Sequence, residues 1–596
     1  MRRDRGQGHE EAGHSPADMA GAVACARRRI RVALGQEPGD LLIAGGRVVN
    51  VFNRRVEPAD VIVADGRIAG VGCHEWLARE TITAEGLVLI PGLIDAHMHI
   101  ESTLLTPAEL ARLIVPMGTT AIISDSHEVA NVMGVRGIDM LANASEGLPL
   151  DLFQMASSCV PAMQGEDAGA ELGPAEVREL LARPRVLGLA EVMDIPAVLG
   201  AESAVLEKVQ AAIAAHAAVD GHAPALSGRE LIAYAAAGIR SDHESTTPEE
   251  ARARAALGML VQVREGSSAR NLAAILPLLA AGELDGSWCL ATDDVFPTDL
   301  RRHGHIDGLL RRVVAGGVDP AVAVRHASFV SARHYGLHDR GALGPAYRAD
   351  IVLVEDLRDF RVHAVVKDGR LAARDGGCLN QCEHSQLEPE NSVRIGAIDE
   401  GSFRLPLAES SCPMIEIVPD QIVTRRSSRS VRRVDGRWAF DPERDVLLIA
   451  SIERHRASGR IGLGLVSGFG FTRDGAIGSS LAHDSHNLIV AGTNSSDMLA
   501  CVRAIAEHGG GFVAASGGSV QAILPLPVAG LLSLDDADTV CRQLDEVNQA
   551  AHALGCPLDA PFGTLSFLAL PVIPELRITT RGVFDVSEQR IVALYY

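Results

Sequence analysis

The chain has 596 residues, 47% hydrophobic and 22% charged, and a net charge of −21. That length exceeds one core and calls for two to four domains, and the composition excludes a mostly disordered chain. A field of this sign repels phosphate backbones, so no nucleic-acid partner is expected, and a small neutral or cationic substrate suits it better.

The N-terminus, Met1 to Ala33, carries Arg2, Arg3 and Arg5 but lacks the apolar stretch of a signal peptide. It is expected to be a floppy extension over residues 1–34. No apolar run reaches the roughly 20 residues of a membrane span. Ten cysteines without a C-x-x-C pair read as reduced thiols. A cytoplasmic protein without a membrane partner is therefore expected.

From Asp40 to Val71 short strands alternate with Gly and Asp-Gly turns, at Leu41–Ala44, Arg47–Asn50, Val61–Val63 and Arg67–Val71. A similar set returns at Ala349–Val354, Val362–Lys367 and Leu371–Ala373. Two matching sets around a long middle predict one small β-domain, discontinuous over 35–91 and 341–385. Within the second set, Cys378, Cys382 and His384 form a weak metal-site candidate in a polar, loop-like stretch.

The middle, 92–340, alternates strand-like and amphipathic helical stretches. Its strand candidates are Leu93–Asp95, Ala121–Ser124, Leu152–Ala156, Val186–Ala190, Ala218–Asp220, Ile239–Ser241, Leu260–Val263 and Cys289–Thr292. Eight such units predict a (β/α)8 TIM-type barrel, whose chemistry sits at the C-terminal strand ends. Those ends read His97/His99, Asp125/His127, Glu191, His222, His243, Arg264/Glu265 and Asp293/Asp294. A third region, 405–596, mixes strand and helix patterns and is expected to be a C-terminal α/β domain.

Strand alternation puts His97 and His99 on one side, which makes half a metal site. His222 and His243 each follow a short strand. Asp293 can bind metal and take a proton from a metal-activated water, and Asp294 beside it can hold a substrate N–H. The chain has two lysines, Lys208 and Lys367, and neither ends a barrel strand. A carbamylated lysine bridge is therefore not expected, and if a bridge exists Glu191 is placed to supply it. His99-Ile-Glu101 matches half of a small zinc deaminase motif, but the P-C-x-x-C half is absent.

"PGLIDAHMHIES", a barrel-strand glutamate, two single histidines and "TDD" resemble the amidohydrolase superfamily. "HIESTLLTP", "SDSHEVANVMG", "GLAEVMD", "DGHAP", "SDHES", "REGSSARNL", "ATDD" and "HDSHNLIVAGTN" resemble bacterial adenine deaminases, over roughly residues 40 to 596. The flanking strands resemble the superfamily's small β-sandwich. The resemblance implies His97, His99, His222, His243 and Asp293 as metal ligands, Glu191 as bridge, and one or two divalent ions, manganese or iron. It implies deamination of adenine at C6 to hypoxanthine and ammonia by a metal-activated hydroxide, with Asp293 as base. Glu101, His127 and Glu128 are unranked candidates for protonating a ring nitrogen. Asp294, Arg264, Ser267, His483 and Asp484 are expected to bind the purine base, and a homo-oligomer, a dimer first, is expected. Alternatives are an amidohydrolase acting on a cyclic amide or another aminated heterocycle and, remotely, a non-catalytic metal-binding scaffold. The hexapeptide Ala482–Asn487 reads either as a solvated turn or as a cover for the barrel mouth.

Overall fold

The computed structural model describes residues 16–379, 387–407, 411–419 and 421–593. Cys382 and His384 lie outside the described residues. Among the described residues no helix is long and apolar enough to cross a membrane.

The expectation of a floppy N-terminal extension is corrected over its second half. Pro16–Ala33 is a helix, and its Val32 packs with Ile62, Ala64, Ala69 and Trp76. The Trp76 indole donates to the Ala33 carbonyl at 3.0 Å, and Arg28 pairs with Asp40 at 2.6 Å. An alanine-rich stretch with good helix propensity thus gains apolar cover from a distant tryptophan.

Seven strands precede the middle region: β1 (Gly39–Ala44), β2 (Arg47–Asn50), β3 (Arg55–Pro58), β4 (Asp60–Ala64), β5 (Arg67–Gly72), β6 (Ala78–Thr83) and β7 (Val88–Pro91). Eight parallel strands then follow: β8 (Leu93–Met98), β9 (Thr119–Ser124), β10 (Asp151–Ala156), β11 (Val186–Val192), β12 (Ala218–Gly221), β13 (Ser241–Asp242), β14 (Leu260–Arg264) and β15 (Trp288–Ala291). They pair in the orders β12-β11-β10-β9-β8 and β13-β14-β15. Two seams join these into a TIM-type barrel. Arg240 N donates to the Val219 carbonyl at 2.9 Å. Just past β15, Asp293 forms a parallel bridge to Met98. Helices cover the strands from outside, which explains why the strands are almost entirely buried apolar runs. Gly92 matters at the entry to β8, because a Cβ there would meet Thr120 Oγ1 at 2.1 Å. The expected strand at Ile239–Ser241 is shorter and later, because Gly238 (φ +115°) still belongs to the preceding turn.

After the barrel come β16 (Ile351–Val354), β17 (Val362–Lys367), β18 (Arg370–Arg374) and β19 (Gly377–Cys378). They join the earlier strands in a sheet of order β19-β18-β17-β16-β7-β2-β3, facing a second sheet of order β5-β4-β1-β6. The two sheets share one core that includes Leu41, Ile43, Val61, Leu89, Ile351 and Val366.

The last region holds β20 (Ser411–Ile417), β21 (Thr424–Ser430), β22 (Arg433–Val434), β23 (Arg437–Trp438), β24 (Leu447–Ile452), β25 (Ile461–Ser467), β26 (Ala476–Ser479), β27 (Leu488–Gly492), β28 (Gly511–Ser516) and β29 (Ser519–Pro525). Strands β30 (Leu576–Thr579), β31 (Gly582–Asp585) and β32 (Arg590–Ile591) close it. Eight of these form one sheet, β21-β20-β25-β24-β27-β26-β28-β29, with helices Ser495–His508 and Ala537–Ala553 packed on it. Its apolar residues run into the barrel's core without a break, with Leu526, Leu531 and Leu532 in one cluster with Leu104 and Leu105. The Ser533 amide donates to the Leu104 carbonyl at 2.8 Å. That shared core seats the last region over the barrel mouth.

Candidate active site

His97 ends β8 and His99 lies just beyond it, and their Nε2 atoms are 3.2 Å apart. Asp293, in the left-handed backbone region at φ +60°, places Oδ1 3.3 Å from His97 Nε2 and 3.1 Å from His99 Nε2. Glu191 near the end of β11 reaches both sides. Its Oε1 is 3.5 Å from His99 Nε2, and its Oε2 is 2.7 Å from His222 Nδ1 and 3.1 Å from His243 Nε2. All six side chains are buried.

Neighbouring bonds hold these ligating atoms in place. The wholly buried Arg254 donates to Asp242 Oδ2 at 2.9 Å and to the Ala223 and Leu226 carbonyls at 2.6 and 3.1 Å. One guanidinium therefore ties together the segments that carry His222 and His243. Removing one partner of such a buried pair costs about 3–5 kcal/mol. The Tyr234 hydroxyl accepts from the His222 amide at 2.9 Å and donates to the Val192 carbonyl at 2.6 Å, locking the ends of β12 and β11 together.

Burial opposes charge on Glu191, Asp293 and His243, yet the attraction of their neighbours wins. Burial pushes the Glu191 carboxyl up, but His222 and His243 outweigh it and hold it well below the usual range. For Asp293, burial also acts upward, and Arg264, His97 and His99 prevail. Burial lowers His243, whereas Glu191, Asp293 and Glu244 lift it to about 9. The cluster therefore calls for positive charge at its centre.

A divalent cation fits that demand. Donors about 2.1 Å from a common ion in tetrahedral array stand about 3.4 Å apart, close to the 3.1–3.3 Å among His97, His99 and Asp293. His97, His99 and Glu191 form one compact donor group, His97, His243 and Asp293 another, and Glu191, His222 and His243 a third. Neither lysine takes part. Lys208 Nζ donates to the Ser158 carbonyl at 2.7 Å, and Lys367 Nζ sits 3.1 Å from Asp350.

A narrow cleft opens beside these donors. His127, Glu128, Arg264 and Asp294 line it from the barrel, and His483, Asp484 and Phe567 from the last region. The hexapeptide Ala482–Asn487 is accordingly a buried loop and not a solvated turn, with Asp484 and His486 at 2% and 0% exposure. Asp484 Oδ1 lies 3.5 Å from His127 Nε2, and His483 Nδ1 lies 3.4 Å from Glu128 Oε1. The His483 ring stacks on Phe567 at 4.4 Å. A barrel loop clasps this hexapeptide from outside, with Ser485 Oγ donating to Glu166 Oε1 at 2.6 Å and Asn487 Nδ2 to the Asp167 carbonyl at 2.7 Å.

Two expected residues, Ser267 and Glu101, are not in the cleft lining, and a third, Arg264, is there but already paired. Arg264 faces the cleft but is engaged on both sides, by Glu244 and by Asp293 Oδ2 at 2.9 Å. The Ser267 hydroxyl donates to Asp299 at 2.6 Å and accepts the Phe296 amide at 2.8 Å. It braces a loop and does not line the cleft. Glu101 is buried behind the wall, where its Oε1 accepts the Val129 amide at 3.0 Å. Glu128 is in the wall, and burial, Glu101 and Asp294 raise its carboxyl well above the ordinary value. Residues missed from the sequence include Glu244, whose only signal was its place beside His243. Met193, Ile422, Phe567, Leu570 and Ile573, which also line the cleft, carried no chemical signal at all.

Comparison with known proteins bears on both halves of this site. The family model described as the amidohydrolase family matches residues 88–372, and the one described as the adenine deaminase C-terminal domain matches residues 421–590. An adenine deaminase of Desulfatibacillum aliphaticivorans is 43% identical over 95% of this chain and 99% of that protein. One from Nitratidesulfovibrio vulgaris Hildenborough is 44% identical over 94% of this chain and 96% of that protein. One from Methanothrix thermoacetophila is 43% identical over 95% and 99%.

Proposed function

Because the chain belongs to the adenine deaminase family of amidohydrolases, we propose a division of labour among its residues for the hydrolytic deamination of adenine to hypoxanthine and ammonia. The observation that carries it is the convergence of six buried donors at the strand ends, under a loop from the last region. His97, His99, His222, His243 and Asp293 hold the divalent metal, with Glu191 shared between the two sides. The donor set is nitrogen and oxygen without sulfur, which suits Mn2+ or Fe2+, one or two ions. When bound, the metal supplies an activated water at neutral pH.

Asp293 takes a proton from the attacking water and delivers it to the departing amine, while Arg264 keeps its carboxylate ionised and aimed. Oxygen adds to C6, the C6–N6 bond breaks, and ammonia leaves. Of the three candidates for protonating the ring, Glu128 is favoured, because it faces the cleft and burial, Glu101 and Asp294 raise its pKa, which favours the protonated form. His127 is held by Asp125 and Asp484, and Glu101 supports Glu128 from behind. Asp294, His483 and Asp484 contact the base, and the loop excludes water from it.

The same reading divides the chain into a small β-sandwich (35–91 and 341–385), the barrel (92–340) and a C-terminal domain (405–596), with 1–34 as an N-terminal appendage. A substrate screen with added manganese tests the proposal, using adenine, adenosine, cytosine, guanine and dihydropyrimidines. Ammonia release from adenine and not from adenosine is expected. Opening of a dihydropyrimidine without adenine turnover would favour a cyclic-amide hydrolase instead.

A further inference from the structure

His486 lies close to the cleft wall, and the deamination reading gives it no task. It is wholly buried in the hexapeptide loop, at φ +50°. Its Nδ1 accepts the Ala482 amide at 3.1 Å, and its own amide returns to the Ala482 carbonyl at 2.8 Å. The Arg454 guanidinium donates to its carbonyl. A ring nitrogen that accepts an amide hydrogen carries none of its own. Burial, with His483 and Arg454 nearby, keeps the ring neutral. Its single N–H is therefore on Nε2, which lies 4.0 Å from Glu128 Oε2. Both atoms lack any other partner.

We propose that His486 is a positioning residue for Glu128, donating its Nε2–H to Oε2 and so fixing the carboxyl against the substrate. The inference rests on the deamination reading above. At 4.0 Å the contact is longer than a hydrogen bond, and it is the kind that tightens when substrate fills the site. Oε1, which lies 3.2 Å from Ser102 Oγ and 3.4 Å from His483 Nδ1, remains the oxygen that exchanges a proton with the base. The tautomer also decides against a competing reading. Glu128, His483 and His486 are close enough to hold a metal ion. However, a metal on Nε2 would move the hydrogen to Nδ1, directly against the Ala482 N–H. The last region therefore contributes an orienting donor, and not a further metal site.

Two variants of the full-length enzyme separate these roles. His486→Asn keeps an acceptor near Nδ1 but has no atom at the Nε2 position, whereas His486→Gln places an amide nitrogen there. His486→Asn is expected to lower kcat on adenine about tenfold with KM within about twofold, as loss of one hydrogen bond to a carboxyl group predicts. His486→Gln is expected to keep kcat within about threefold. Metal content should match wild type in both. Wild-type kcat in His486→Asn, an equal loss in both variants, or loss of metal from either would overturn the proposal. If His486→Asn fails to fold, a tenfold loss of kcat in folded His486→Gln overturns it alone. Glu128→Gln, run alongside, should lose activity about 10²-fold. If it stays active, the role of Glu128 falls and takes that of His486 with it. If it is inactive while His486→Asn is not, only the present inference falls.

Discussion

The barrel and the C-terminal region furnish the site in opposite ways. The barrel presents His97 and Glu191 from strands, His99, His222 and His243 from the first position after a strand and Asp293 from the second, braced by main-chain and guanidinium bonds. The C-terminal region presents His483, Asp484 and His486 from a loop, which is held by Glu166 and Asp167 on one side and by Arg454 on the other. A metal ion requires donor positions fixed to a few tenths of an ångström, and strand ends supply that. A base that must enter and leave needs a wall that can give, and a clasped loop supplies that.

The sharpest way to break the comparison is from the barrel side. Asp293→Asn keeps the shape of the side chain but removes the proton acceptor, so kcat should fall by at least about 10²-fold. Near-normal kcat with metal retained would place the base elsewhere. Glu191→Gln should come next, lowering metal content and cutting activity by about 10- to 100-fold. Added bicarbonate should leave the wild type unchanged, since both lysines lie outside the site. Elemental analysis of the two proteins decides it, and unchanged metal stoichiometry with full activity would contradict the bridge.

The C-terminal side should yield more gradually. His483→Ala should raise KM or lower kcat by about tenfold while leaving metal content intact, which kinetics and elemental analysis check together. Removing the whole region is a poorer test, because the core is continuous and a barrel ending near Pro406 would expose it. The smallest effect concerns the clasp. Burial first, then Asp484 and Asp167, raise Glu166 to about 8 despite the Ser485 hydrogen bond. A carboxyl with a raised folded pKa contributes stability that is fully present below its unfolded value and is lost as pH rises through about 8. Wild-type Tm should therefore fall a few degrees more between pH 6 and 9 than that of Glu166→Gln. Parallel Tm curves for the two proteins would show that the clasp does not titrate there.

Much of the barrel was legible from sequence because it repeats a simple unit, a short apolar run that ends in an ionisable residue. The two-residue β13 was misplaced, because a strand that short has no period to read. The helix Pro16–Ala33 was missed for a different reason. Its burial depends on Trp76, and no local pattern announces a partner that distant. Ser267 stands in a motif, "REGSSARNL", that resembles those of adenine deaminases, but the fold spends its hydroxyl on Asp299 and the Phe296 amide. The cleft's apolar wall could not be foreseen, since Phe567 and Ile573 look like any other core residues until the loop packs beside them. The hexapeptide was ambiguous because five adjacent polar residues suit solvent equally well. Their burial, with the clasp from residues 166 and 167 on one side and Arg454 on the other, shows that they are enclosed.

One seam has a consequence for how the enzyme is armed. The Asp293 amide donates to the His97 carbonyl at 2.9 Å, and the His99 amide donates to the Asp293 carbonyl at 3.3 Å. Three prongs of the chelating fork are thus stitched to one another through their own backbones. These bonds are made by the main chain itself, so ion capture is expected to order little backbone, unlike sites in which binding and folding are one event. The ion should add stability only by mass action, in proportion to the logarithm of its concentration over Kd. A chelator would then leave a disarmed protein that is still folded, and readding the ion would restore function without a refolding step.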